Sequence, residues 1–78
     1  MTEQKIQSQR IEGKIGYGFV ALYYQPETQT GIHEGYEVVQ GYSAIGHRRM
    51  FKAYWYNSRE KALKAYDKAV KNITTKIV

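Results

Sequence analysis

Apolar positions are sparse over the first dozen residues and dense thereafter. Within residues 1–12 only Ile6 and Ile11 interrupt a polar run, which reads as a flexible N-terminal arm or a loosely held first strand. The single small domain is expected over residues 13–78. From Ile15 to Tyr24 the chain is rich in aromatic and β-branched side chains and stops short of Pro26. Both alternating sets there, Ile15/Tyr17/Phe19/Ala21/Tyr23 and Gly16/Gly18/Val20/Leu22/Tyr24, are apolar, the mark of a central strand covered on each side for part of its length. Gly16 and Gly18 point to a bulge or a close backbone approach. Residues 25–31, with Pro26 and Gly31, form a turn. A second strand is expected within residues 32–40, carried by Tyr36, Val38 and Val39, and residues 41–46 connect it to a third over roughly His47–Tyr56. There Arg49, Phe51, Ala53 and Trp55 alternate with Arg48, Met50, Lys52, Tyr54 and Tyr56. Short connections make the three strands an antiparallel meander.

The period then changes. Asn57-Ser58-Arg59-Glu60 offers an N-cap with a glutamate three residues on, the spacing of a capping box. Ala62, Leu63, Tyr66, Ala69, Val70 and Ile73 follow at helical spacing, with Lys61, Lys64, Lys68 and Lys71 opposite. Glu60–Lys64 and Asp67–Lys71 are favourable i,i+4 pairs. This is an amphipathic helix of about four turns, after which residues 73–78 fray or add a short edge strand. The expected fold class is therefore α+β: a three-stranded antiparallel β-sheet packed against one C-terminal amphipathic α-helix.

Composition narrows the chemistry. Seventy-eight residues leave room for one domain. The absence of cysteine removes disulfides, thiol nucleophiles and Cys-based zinc sites. No apolar run approaches a membrane span, and the polar start lacks a secretory signal, so a soluble, cytoplasmic domain with no membrane partner is expected. The net charge of +5 is unevenly held. Residues 1–46 carry three cations against five carboxylates, whereas residues 47–78 carry nine against two. A basic half raises the case for an anionic partner. Eight tyrosines, one tryptophan and two phenylalanines make 14% of the chain aromatic.

The third strand combines both features. With Phe51, Ala53 and Trp55 packed under the helix, the alternate face would present Arg48, Lys52, Tyr54 and Tyr56, cations to neutralise phosphates and rings to stack on bases or sugars. Arg49, Lys14 and Tyr17 would lie at the periphery. The helical lysines read chiefly as a solvated face. Signs of catalysis are thin. His33-Glu34-x-x-Glu37 lacks the second histidine of a zinc protease, and His33 with Glu37 is the one acid–base pair of the kind a small ribonuclease uses, with His47, Arg48 and Arg49 as phosphate-binding cations. No phosphate-binding glycine loop and no Ser/His/Asp set is present, and no metal site or cofactor is expected.

Two motifs resemble known families. Gly16-Tyr17-Gly18-Phe19-Val20 is similar to the first ribonucleoprotein motif of RNA-recognition domains, departing from it at Ile15 and Leu22. In that family the two rings stack on bases, but too few residues precede Ile15 for its fold. Cold-shock domains carry a similar Gly-Tyr-Gly-Phe, followed later by a segment like Tyr42-Ser43-Ala44-Ile45, but their five-stranded barrel has no place for the helix. The segment from Ser58 to Ala69 resembles the helix of the ethylene-response-factor and phage-integrase-arm type of DNA-binding domain. That resemblance implies a three-stranded sheet backed by a helix, with the sheet entering the DNA major groove. It assigns only packing roles here, to Ala62, Ala65, Tyr66 and Ala69. It covers about twelve residues, lacks the family's first-strand Arg-Gly element, and departs again within residues 53–56.

The expected function is that of a small, non-catalytic, basic binding domain for nucleic acid, DNA ahead of RNA, using the open face of the sheet. The rival is a protein-interaction module, an adaptor or inhibitor docking on a larger protein through its tyrosine-rich surface. A homodimer burying the aromatic face is a further arrangement.

Overall fold

A computed structural model describes residues 4–26, 34–46 and 49–78. Its elements run β1 (Gln4–Glu12), β2 (Gly16–Gln25), β3 (Gly35–Ala44), β4 (Met50–Tyr56) and α1 (Arg59–Ile77). The strands form one antiparallel sheet in the order β1-β2-β3-β4, and α1 packs on one face. The fold is α+β with a C-terminal helix, as the periodicities predict, but the sheet has four strands rather than three.

The added strand is β1, in the stretch read as an arm or loosely held strand. It pairs with β2 from Gln4↔Tyr24 to Glu12↔Tyr17. Its polar side chains suit an edge, where a strand borders water on one long side. Backbone pairing rather than an apolar stripe holds it, so the side-chain pattern gave little sign of it. The register shifts between Lys5 and Gln7. This bulge around Ile6 places that side chain against the core.

The β1–β2 connection is tight: the Gly13 N–H donates to the Gly16 carbonyl at 2.9 Å. Gly46, in the β3–β4 connection, sits at a φ of 83°, the left-handed region that glycine enters without strain. The strand expected within residues 32–40 is displaced toward later residues, and the one expected over residues 47–56 starts later but ends as expected. Gly41 lies inside β3, and β4 begins at Met50 rather than His47. His47 lies outside the described residues.

The helix begins at Ser58, whose hydroxyl accepts from the Lys61 N–H at 3.4 Å. The cap is thus one residue later than the Asn57–Glu60 spacing implied. Glu60 does not close a capping box but pairs with Lys64 at 3.6 Å on the solvent side. Nor does the last segment fray or add an edge strand. The helix continues for 19 residues because Ile73 and Ile77 extend the buried series Ala62, Tyr66, Ala69. Its end is tied to the sheet: the Ile15 N–H donates to the Ile77 carbonyl at 3.2 Å, and the Ile45 N–H to the Ile15 carbonyl at 2.8 Å. A carbonyl left free by the helix terminus is thereby satisfied.

The helix lies mainly over β2 and β3. Val20, Leu22 and Val38 meet Ala62, Tyr66, Ala69, Ile73 and Ile77 in the core, with Ile11 and Ala44 at its borders. Gly18 permits the contact, since a Cβ there would stand 2.5 Å from Ile73 Cγ2. Among the described residues no helix is long and apolar enough to cross a membrane.

Two outcomes follow from this core. Leu22 is fully buried, so Leu22→Ala should lower unfolding free energy by about 2–5 kcal/mol in urea titrations. Tyr66 is buried, which pushes its hydroxyl above the ordinary 10, with a hydrogen bond from Gln7 opposing and Asp67 reinforcing the shift. Unfolded tyrosine ionises near pH ~10, so the folded state holds the proton longer. Stability from Tyr66 is present below that pH and is lost as pH rises through the raised folded value. The urea midpoint should fall above about pH 10, and less steeply in Tyr66→Phe.

Candidate nucleic-acid interface

Strand pairing assigns every side chain to one of two faces. Leu22↔Val38↔Tyr54 and Gly18↔Tyr42↔Met50 lie on the helix side, with Lys52 and Tyr56 in the same phase. Phe19↔Gly41↔Phe51 and Tyr23↔Glu37↔Trp55 lie on the open side. This inverts the expected orientation of the last strand. Phe51, Ala53 and Trp55 face outward, while Lys52, Tyr54 and Tyr56 project on the side that carries the helix. The reason is that the helix crosses the middle of the sheet and β4 is an edge strand. Met50 and Tyr56 flank the core, whereas Phe51 stays 66% exposed.

The open face is built on absent side chains. A Cβ on Gly41 would stand 2.8 Å from Phe19 Cε1 and 2.9 Å from the Met50 carbonyl oxygen. Without one, Phe19 lies down over β3 and reaches Phe51, their ring centroids 6.1 Å apart and tilted by 42°. This distance and tilt suit an aromatic pair. Trp55 uses Gly35 in the same way, a Cβ there falling 2.3 Å from its indole. Tyr17, Phe19, Phe51 and Trp55 all remain exposed on this side.

Cations gather at one end. The Arg10 guanidinium stands 5.2 Å from the Tyr17 ring centroid, and its Nε donates to Glu12 Oε1 at 3.0 Å. Arg10, Lys14, Tyr17 and Ser43 line a shallow depression beside the β1–β2 turn. Tyr17 and Ser43 also border a smaller cleft of about 200 Å³ whose walls are Phe19, Arg49, Met50 and Phe51. Lys14, Tyr17 and Arg49, expected at the periphery, are therefore brought together with Arg10 and the two phenylalanines. Arg48 lies outside the described residues, as does His33 of the weighed acid–base pair.

Lys52, Tyr54 and Tyr56 sit apart, in a groove between β4 and α1. Near the other end of β2, the Tyr24 hydroxyl donates to Glu34 Oε2 at 2.5 Å, and this bond to the carboxylate holds it above its ordinary value. Tyr24 also lies 5.5 Å from Tyr36, centroid to centroid, on the helix side.

Arg10, Phe19, Phe51 and Trp55 are open-face residues that the charge and tyrosine pattern did not single out. A signal for Phe19 was present in the Tyr17/Phe19 alternation of the ribonucleoprotein-like motif. The arrangement can stack planar groups and hold anions at one end. Among the described residues no polar or charged side chain other than the Tyr66 phenol is buried, and no three His, Asp or Glu side chains converge as a metal site would need.

The aromatic shelf should depend on its glycine. Gly41→Ala sets a methyl against Phe19 and the Met50 carbonyl and should cost about 1–3 kcal/mol in thermal or urea unfolding. Phe51→Ala, at an exposed position, should change stability by about 1 kcal/mol or less. No family model, curated protein or solved structure matches this chain, so its chemistry is read from its own residues.

Proposed function

We propose that this chain is a non-catalytic nucleic-acid-binding domain whose ligand lies on the open face of the sheet, and that it prefers single-stranded DNA. One observation carries the reading: Tyr17, Phe19, Phe51 and Trp55 are exposed on one face, with Arg10, Lys14 and Arg49 at its end. Rings accept bases of any sequence by stacking, and neighbouring cations neutralise the backbone. The preference for single strands comes from the balance of groups. A sheet that reads a duplex groove presents hydrogen-bonding side chains to base edges, whereas this one presents flat apolar rings, which unpaired bases can cover.

The protein-interaction alternative draws on the same rings, and differs in the response to salt and in the class of ligand. Trp55, the sole tryptophan, supplies the probe. Addition of oligo-dT should quench its fluorescence, and duplex DNA of equal length should do so more weakly. Affinity should fall steeply as salt rises. Phe19→Ala and Phe51→Ala should each weaken binding by roughly 5- to 150-fold, the equivalent of losing one stacked base. Failure of DNA to bind, or affinity indifferent to salt and to both phenylalanines, would reject the reading. Formation of a salt-insensitive dimer or protein complex through this face would favour the rival.

A further inference from the structure

On the other side of β4 runs a groove of different character. The chain turns back after Tyr56, so α1, seated over β2 and β3, runs antiparallel to β4 with Lys68 toward the Tyr56 end and Lys76 toward the Met50 end. Two adjoining clefts, about 330 and 240 Å³, share Gln40, Tyr54 and Asn72 as their common wall. Lys52 and Lys76 border one and Lys68 borders the other. No carboxylate lines either cleft. None of the three lysines makes an ion pair among the described residues, whereas Lys64 on the outward side of the helix pairs with Glu60. Eight helical steps separate Lys68 from Lys76, which places their Cα atoms about 12 Å apart along the axis. The groove thus offers uncompensated positive charge along a line, interleaved with amide and phenol groups that donate hydrogen bonds.

We infer that this groove is a phosphodiester track, which takes the backbone of the nucleic-acid strand where it passes over the edge of β4 from the aromatic face. The inference rests on the nucleic-acid reading of the open face and adds a second surface to it. The chemistry of the two sides differs in a way that suits one ligand. The open face offers rings to bases. The groove also has ring walls, from Tyr42, Tyr54 and Tyr56, but it adds three lysines as point charges beside Gln40 and Asn72, which fits phosphate oxygens. A globular acidic partner is less well matched, because the cations border two adjoining clefts in a line instead of forming one cluster.

The test compares two variants that each lose two positive charges. Lys52→Gln with Lys76→Gln empties the groove, and Lys64→Gln with Lys71→Gln removes charge from the outward side of α1. Binding of an oligo-dT of about 16 nucleotides is followed by Trp55 fluorescence across a salt series. The slope of log K against log salt should drop by about 1.4 in the groove variant, two phosphate contacts at ~0.7 each, and by much less in the outward variant. The fluorescence change at saturation should match wild type in both, since stacking is untouched. An undiminished slope in the groove variant, with binding and quenching intact, would overturn the track and leave the aromatic-face reading standing. Equal loss in both variants would also overturn it, because overall charge would then account for the effect. Absence of any binding by the wild-type protein would reject both together.

Discussion

The seating of α1 across β2 and β3 is the contact on which the rest depends. A four-stranded sheet built from these sequences carries aromatic side chains on both sides, and only one side can be covered by a single helix. Gly18 settles the matter by admitting Ile73 to the sheet backbone, and the row Val20, Leu22, Val38 then meets the helix's small and branched residues. The end of the helix is fixed as well, through the Ile77 carbonyl and the Ile15 amide. Once this side is taken, Phe19, Phe51 and Trp55 have nowhere else to pack, and the outward face is aromatic as a consequence. Ordinary globular surfaces rarely leave several large rings together in water.

The helix and the central strand were legible because their signals come from the side chains that do the packing. Ala62, Tyr66, Ala69 and Ile73 recur at helical spacing and are buried, and the apolar run of β2 does mark a central strand between β1 and β3, although the second face, expected to be covered, leaves Tyr17 and Phe19 exposed. Strand β1 was nearly silent, since an edge strand of glutamines, serine and charges is held by main-chain hydrogen bonds that leave little trace in composition. The orientation of β4 was also not legible. Its two alternating sets, Phe51/Ala53/Trp55 and Met50/Lys52/Tyr54/Tyr56, are both amphiphilic, and a one-residue change of phase exchanges them. What decides between them is register against β3, where Gly41 faces Phe51 and Val38 faces Tyr54. A pairing between strands cannot be seen in either strand alone. The candidate site inherits this limit: Lys14, Tyr17 and Arg49 fall together on the open side, whereas Lys52, Tyr54 and Tyr56 form a separate neighbourhood against the helix.

The charge asymmetry along the chain also acquires a spatial meaning. The first half carries most of the carboxylates, yet it contributes Arg10 and Lys14 to the open face, with Glu12 engaged by Arg10. The second half contributes its exposed lysines to two settings, one on the outward side of the helix and one bordering the clefts between strand and helix. Net charge counts these alike. Their geometry and neighbours differ, and it is those that govern whether a cation steers a ligand from a distance or holds it in place.

Gly41 has one consequence that reaches past packing. By letting Phe19 settle onto the backbone of β3, it fixes the orientation of that ring before anything binds. The loss of rotamer freedom is incurred when the chain folds, so a planar ligand laid on Phe19 meets a surface already ordered. Phe51, with most of its ring in solvent, is less confined and must give up freedom on contact. The two members of this pair are therefore unequal partners: one is a preorganised platform, and the other an adjustable flap beside it.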